Sequence, residues 1–163
     1  MDPEQGTSVH YGAQSSSVIL DVEWELALAA PVETVWQKLV HEVDAWWAHS
    51  YKRGSTVLIE PFPGGRFWER FADGVNGSVY ANVVYIDPPH VLKCVGNWAM
   101  PGIGMSSGVW RLEARDGGTL LKATGQMQGV LDASLMKERG GGTQTLIAAL
   151  RAWVEDGARV ERG

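Results

Sequence analysis

The stretch Val18–Val40, VILDVEWELALAAPVETVWQKLV, changes its period once, and that change sets the frame for the rest of the chain. Up to Leu28 every second residue is apolar. Leu20, Val22, Trp24, Leu26 and Leu28 share one face, with Asp21, Glu23 and Glu25 on the other, as in a half-buried strand. From Pro31 the spacing lengthens to three and four residues through Val32, Val35, Trp36, Leu39, Val40 and Val43, the stripe of an amphipathic helix. Pro31 suits a first helical turn, and Glu33 complements the positive end of the helix dipole. DAWWAHSY, residues 44–51, extends this helix or begins a second short one.

Working outward, strand-like runs alternate with turn signals. TVLIE (56–60) leads through PFPGG to RFWERF (66–71), and ADGVNG leads to SVYANVVYI (78–86). DPPH (87–90) ends that strand, because prolines cannot continue a central ladder. VLKCVGNW (91–98) follows, and VWRLEA (109–114) turns at RDGG into TLLKATGQMQG (119–129). The chain closes with a helix from Asp132, its expected N-cap, to Asp156. Met136, Gly140, Thr143, Ile147, Leu150 and Val154 mark its inner stripe. Gly140, Gly141 and Gly142 each cost about 1 kcal/mol inside a helix. Either the helix is two pieces, or something approaches its backbone closely.

The expected fold class is therefore α+β: a curved antiparallel sheet of about seven strands around a long C-terminal helix, with one or two short helices after the first strand. One helix covers only part of such a sheet, so the sheet must bend round it and leave a cavity. Residues 17–160 read as a single domain, and residues 1–16, polar and acidic, as a flexible tail.

At 163 residues, 45% hydrophobic and 20% charged, the chain has the composition of a globular domain with a real core. A net charge of -5 without a basic cluster argues against a nucleic-acid partner. No apolar run reaches the ~20 residues of a membrane span, and no secretion signal opens the chain, so a cytoplasmic location is expected. Cys94 is the only cysteine, which excludes an internal disulfide. His10, His41, His49 and His90 are scattered without ligand spacing, so neither a metal nor another cofactor is expected. Cys94 reads as a small core residue, and Ser106 and Ser107 have no evident base nearby.

Several segments in this order resemble the SRPBCC (START/Bet v 1-like) superfamily, and within it the family named after the activator of heat-shock protein 90 ATPase. They are APVETVW at the first helix, AWW after it, PGGRF with a DG turn, GSVYANVVYIDPPHVL, RLEARDGGTLL and the closing helix, together spanning residues 18–157. The resemblance implies a helix-grip fold around a deep hydrophobic pocket, and relatives that bind apolar molecules or act as cyclases or aromatases. One departure stands out. Where the family commonly carries Gly-Trp in the last helix, this chain has Gly142-Thr143, which implies a wider or wetter end of the pocket.

The eight tryptophans suit such a pocket, since rigid aromatic surfaces line many ligand sites. Trp24, Trp110 and Phe67 are expected as walls, Met136, Thr143 and Ile147 as the helix side, and Trp46, Trp47 and Tyr51 as one lip. Trp98 and Met100, with Ile103 and Met105, belong to NWAMPGIGMSSG (97–108), irregular because of Pro101 and its glycines, which reads either as a pocket lid or as a loop packed over the sheet edge. The strand at 66–71 poses the one conflict. Turning Phe67 and Phe71 inward takes Glu69 with them, and an unpaired buried carboxylate costs several kcal/mol or becomes neutral. Glu69 then sits at the pocket mouth in reach of water, pairs with an arginine from a neighbouring strand, or anchors a ligand as a polar contact or general acid/base. It is the best candidate for a catalytic residue. The function these features point to is binding of a small hydrophobic or amphipathic molecule by a monomer or homodimer. The alternatives are a polyketide cyclase/aromatase-like enzyme and a chaperone-interacting module.

Overall fold

The computed structural model describes residues 11–12, 16–130 and 133–162, and within the last helix it leaves aside the side chains of 133–136 and 138–141. The Asp132 cap, the Met136 side chain and most of the 1–16 segment thus lie outside the described residues.

The period-two stretch forms β1, Val18–Leu28, with its apolar face turned inward as the alternation requires. Six further strands follow: β2 (Thr56–Ile59), β3 (Arg66–Arg70), β4 (Gly77–Asp87), β5 (Val91–Gly96), β6 (Ile103–Arg115) and β7 (Gly118–Gly129). They make one antiparallel sheet in the order β1-β7-β6-β5-β4-β3-β2, so the first strand closes against the last while hairpins connect the rest. This is the seven-stranded α+β arrangement read from the sequence, with a C-terminal helix against the sheet.

The helical stripe after β1 is buried at Val32, Val35, Trp36, Leu39, Val40 and Val43, but not as one regular helix. α1 spans Val32–Trp36, widens to a π turn over Gln37–His41 through the Glu42 N–H donating to the Gln37 carbonyl at 3.1 Å, and ends in a 3-10 turn at Val43–Ala45. The segment 46–51 is then extended or bent rather than helical.

α2, Ala133–Arg151, runs without a break through the three glycines and passes into a π turn, Ala152–Asp156. Of the two explanations for the glycines, the helix is not two pieces. Gly157 ends it in the left-handed conformation (φ 65°), with its N–H donating back to the Trp153 carbonyl. Leu150 and Val154 near this end are buried with Leu26, Leu28, Leu112 and Leu121 of the sheet in one apolar cluster.

The lid expectation needs correction. Ile103–Gly108 is the first half of β6, paired to β7 from Gly129 and to β5 from Gly96, with a register shift between Ile103 and Met105 absorbing the irregularity. Ile103 is buried and Met105 points outward, so only Asn97–Gly102 is loop.

Candidate functional site

Between the sheet and the middle of α2 lies a pocket of about 490 Å³. Its floor is the inner face of β1, β6 and β7 at Val22, Trp24, Ser106, Gly108, Trp110, Ala123, Gly125 and Met127. Gly142, Thr143 and Leu146 of α2 form the roof, Trp46, Trp47, His49, Ser50 and Tyr51 one side, and Tyr80, Trp98 and Met100 another. Of the expected pocket residues, the structure brings together Trp24, Trp46, Trp47, Tyr51, Trp98, Met100, Trp110 and Thr143.

Phe67, Glu69, Phe71 and Ile147 stand outside the lining. Phe67 is 1% exposed and lies behind the wall, its ring 4.7 Å from Trp47 and 5.5 Å from both Tyr80 and Trp98. Phe71 follows the end of β3 under the Lys52 ammonium, 4.8 Å from its ring. On the helix, Leu146 takes the place expected of Ile147, whose side chain packs against the core.

The aromatic wall is continuous. Trp47 stacks on Trp98 at 5.9 Å with the planes 12° apart, and meets Trp46 edge-on at 5.5 Å. Trp46 in turn lies 5.9 Å from Trp110, while its indole N–H donates to the Leu39 carbonyl at 3.1 Å. Such pairs add about 0.5–1.5 kcal/mol each beyond burial and hold the rings in place.

Glu69 is 0% exposed, so it does not reach water at the pocket mouth, and among the described residues its partners are backbone N–H groups and a phenol rather than an arginine. It accepts the Tyr51 N–H on both oxygens (2.9 and 2.8 Å), the Lys52 N–H at 3.0 Å and the Tyr80 hydroxyl at 2.5 Å. The buried Ser55 hydroxyl adds to the stabilising set, though it stands outside strict hydrogen-bond geometry. Burial pushes the Glu69 carboxyl up, but these donors outweigh it and hold it below the ordinary carboxylate range. Glu69 is therefore an ionised anchor that ties the 51–52 backbone to the sheet, and its lone pairs face protein rather than pocket. Burial and the adjacent Glu69 charge raise the Tyr80 phenol, which keeps its proton.

The Glu69 anchor reaches the pocket through Tyr51. With its backbone held by Glu69, the Tyr51 hydroxyl donates to the carbonyls of Trp98 (2.8 Å) and Ala99 (3.2 Å). Those two residues both have positive φ, 58° and 53°, a conformation that costs non-glycine residues about 1 kcal/mol or more each. The Asn97 side chain supports the same turn by accepting the Ala99 N–H at 3.0 Å. Thus the 97–102 loop is pinned over the pocket, with Trp98 laid on Trp47.

A second, half-buried anchor comes from the segment after the last helix. Arg162 donates to the Asp44 and Trp47 carbonyls at 3.0 Å, to the Ser55 carbonyl at 3.1 Å, and to the Asp44 carboxylate. Asp44 also accepts the Val57 N–H at 2.8 Å and pairs with Arg159. Burial raises the Asp44 carboxyl, and these partners outweigh it and hold it low. Nothing in the local pattern of 157–162 points to this clasp, because its partners lie more than 100 residues earlier in the chain.

His49, one of the scattered histidines, lines the pocket and approaches the last of the three glycines. Its Nε2 lies 3.3 Å from the Gly142 carbonyl, and a Cβ on Gly142 would stand 3.4 Å from that nitrogen. Val22, Gly108 and Met127 were legible by extending the alternation around Trp24, Trp110 and Ala123. His49, Ser50 and Tyr80 had no such signal. Cys94 is buried, with its thiol pushed up to about 12 by burial. Among the described residues, no three His, Cys, Asp or Glu side chains gather to hold a metal, and no helix is long and apolar enough to cross a membrane.

No protein-family model matches the chain, and no curated protein matches it. Solved structures do. An uncharacterised protein from Rhizobium leguminosarum matches with a TM-score of 0.67 at 22% identity, over 85% of this chain and 96% of that one. The Mll3558 protein from Rhizobium loti matches at 0.65 and 20% identity, over 84% and 98%. Ara h 8.0201, a Bet v 1-type allergen, matches at 0.61 and 15% identity, over 84% and 98%. At these identities the likeness is one of fold: the chain has the Bet v 1-like helix-grip fold.

Proposed function

We propose that this protein binds a small hydrophobic or amphipathic molecule in the pocket between its sheet and C-terminal helix. The observation that carries the reading is the pocket itself, about 490 Å³ with Trp24, Trp46, Trp47, Trp98 and Trp110 in its lining. That volume falls within the ~300–1,000 Å³ of small-molecule sites, and the few polar groups among apolar walls suit an apolar body with one polar end. Proteins of this fold often bind hydrophobic ligands, which supports the same reading.

Three polar side chains of the lining are committed to the protein, while the buried Trp47 indole N–H has no hydrogen-bond partner among the described residues. The Ser106 hydroxyl donates to the Gly96 carbonyl at 2.8 Å, Tyr80 to Glu69, and Tyr51 to the 98–99 backbone. An acid/base mechanism through Glu69 would need that carboxylate to leave four hydrogen bonds, so binding without turnover is the simpler use of this site.

Native mass spectrometry of the purified protein, with a denatured sample alongside, tests the proposal. An added mass that disappears on denaturation, or binding of N-phenyl-1-naphthylamine with quenching of the tryptophan emission, supports it. Bare chain mass together with no binding of that probe at saturating concentration rejects it.

A further inference from the structure

On the inner face of the sheet, the cross-strand rows differ sharply in what they carry. One row runs Trp24, Ala123, Trp110, Leu92; the next runs Val22, Gly125, Gly108, Cys94. The two central positions of the second row have no side chain, and both line the pocket. The bare backbone of β6 and β7 is therefore exposed to the cavity beside the Trp110 ring.

These two glycines exist for different reasons. A Cβ on Gly125 would stand 2.6 Å from the Ser107 carbonyl oxygen and 3.3 Å from the Gly108 Cα, so the close backbone demands glycine there. A Cβ on Gly108 would meet only the Thr124 oxygen, at 3.9 Å, and Gly108 has no left-handed φ. Nothing in the fold requires glycine at 108. Glycine is also a poor strand residue, because it loses more backbone freedom on folding than any other residue and packs nothing. What its missing side chain provides is open pocket floor.

We propose that Gly108 is a specificity-determining residue: the ligand's apolar body occupies the space a side chain at 108 would fill, lying against the β6–β7 backbone beside Trp110. This rests on the binding reading above and deepens it. The ligand class that follows is one whose body is broad enough to need that floor, and the size of residue 108 sets the upper limit on its breadth.

The test is titration of N-phenyl-1-naphthylamine into the wild-type protein, Gly108→Ala, Gly108→Leu and the outward-facing control Val109→Leu, with a thermal melt of each. Gly108→Ala is expected to weaken probe binding several-fold and Gly108→Leu at least tenfold. Gly108→Ala should melt no lower than wild type, and Val109→Leu should bind like wild type. If wild type binds and both Gly108 variants bind equally well, this inference is overturned while the pocket reading stands. Should Gly108→Leu fail to fold, Gly108→Ala decides alone: unchanged affinity overturns the assignment. Failure of the wild type to bind overturns the pocket reading and this inference together.

Discussion

Two rows of the same sheet face the same helix and end differently. Leu26, Leu121 and Leu112 lie side by side across β1, β7 and β6, are at most 3% exposed, and join Leu150 and Val154 in the core. Two rows along the same strands, Val22, Gly125 and Gly108 border open space. Strand order and facing are shared; what differs is side-chain volume, together with a tighter backbone approach at Gly125. The pocket is thus written into the residues at those positions and is not a failure of packing. One end of the grip holds the fold together, and the other is left hollow.

The largest expected effects belong to the packed row. Leu121→Ala should cost about 3–4 kcal/mol in denaturant unfolding, since a fully buried leucine loses both transfer energy and a filled volume. Val22→Ala, on the same inner face but bordering the cavity, should cost below ~1 kcal/mol, because much of the valine already faces a void. Equal losses at the two sites would show that the hollow end is packed, and the comparison would break.

Glu69 gives the next largest effect. Glu69→Gln keeps the shape but presents an amide to the donors of Tyr51, Lys52 and Tyr80, at a cost of about 2 kcal/mol at neutral pH. The folded-state pKa is depressed, so the carboxylate's contribution is complete above the unfolded value of about 4.3 and is lost as pH falls through the lower folded value. The gap between wild type and Glu69→Gln in urea melts should therefore be constant from pH 7 to 5 and shrink below about 4. A gap that widens in acid would mean a raised pKa and a different role for the group.

These two cases also show what was legible from sequence. Alternation in β1, β6 and β7 named the inner face, and with it Trp24 and Trp110, because side-chain direction in a strand is a local property. The inward facing of Glu69 was equally readable from Phe67. Its partners were not, since two of its donors are backbone N–H groups in a bent segment and the third is a phenol on the neighbouring strand. The glycine run suggested a close approach without naming His49, which among the described residues meets only Gly142 of the three and lies 93 residues away from it. Glycine and proline content misassigned 103–108, where ladder pairing to β7 from Ile103, and to β5 as well from Ser106, overrides weak strand propensity.

Arg162 should matter less to global stability than to the hollow end. Arg162→Ala removes the donors that hold the Asp44, Trp47 and Ser55 carbonyls and leaves the Asp44 carboxylate with Val57 and Arg159, costing about 1–2 kcal/mol. Because those carbonyls flank the Trp46–Tyr51 lip, amide exchange in that segment should accelerate while exchange in β7 at Leu120 and Leu121 changes only with the global loss. Uniform acceleration across both regions would make Arg162 a general stabiliser rather than a clasp on the pocket.

The smallest effect is the most diagnostic of how helix and lip meet. Replacing a helical glycine by alanine gains up to about 1 kcal/mol where space allows. At Gly142 the new methyl would stand 3.4 Å from His49 Nε2 and 3.6 Å from Cε1, at the short edge of ordinary contact, so the ring that faces the Gly142 carbonyl has no slack to spare. Gly142→Ala alone should leave stability within about 0.5 kcal/mol of wild type. In a His49→Ala background the crowding is gone, and the same substitution should stabilise by about 1 kcal/mol. That non-additivity measures the His49–Gly142 contact directly. If Gly142→Ala gains its full increment with His49 present, the imidazole does not press on the helix, and the glycine run would have to answer to the ligand space instead.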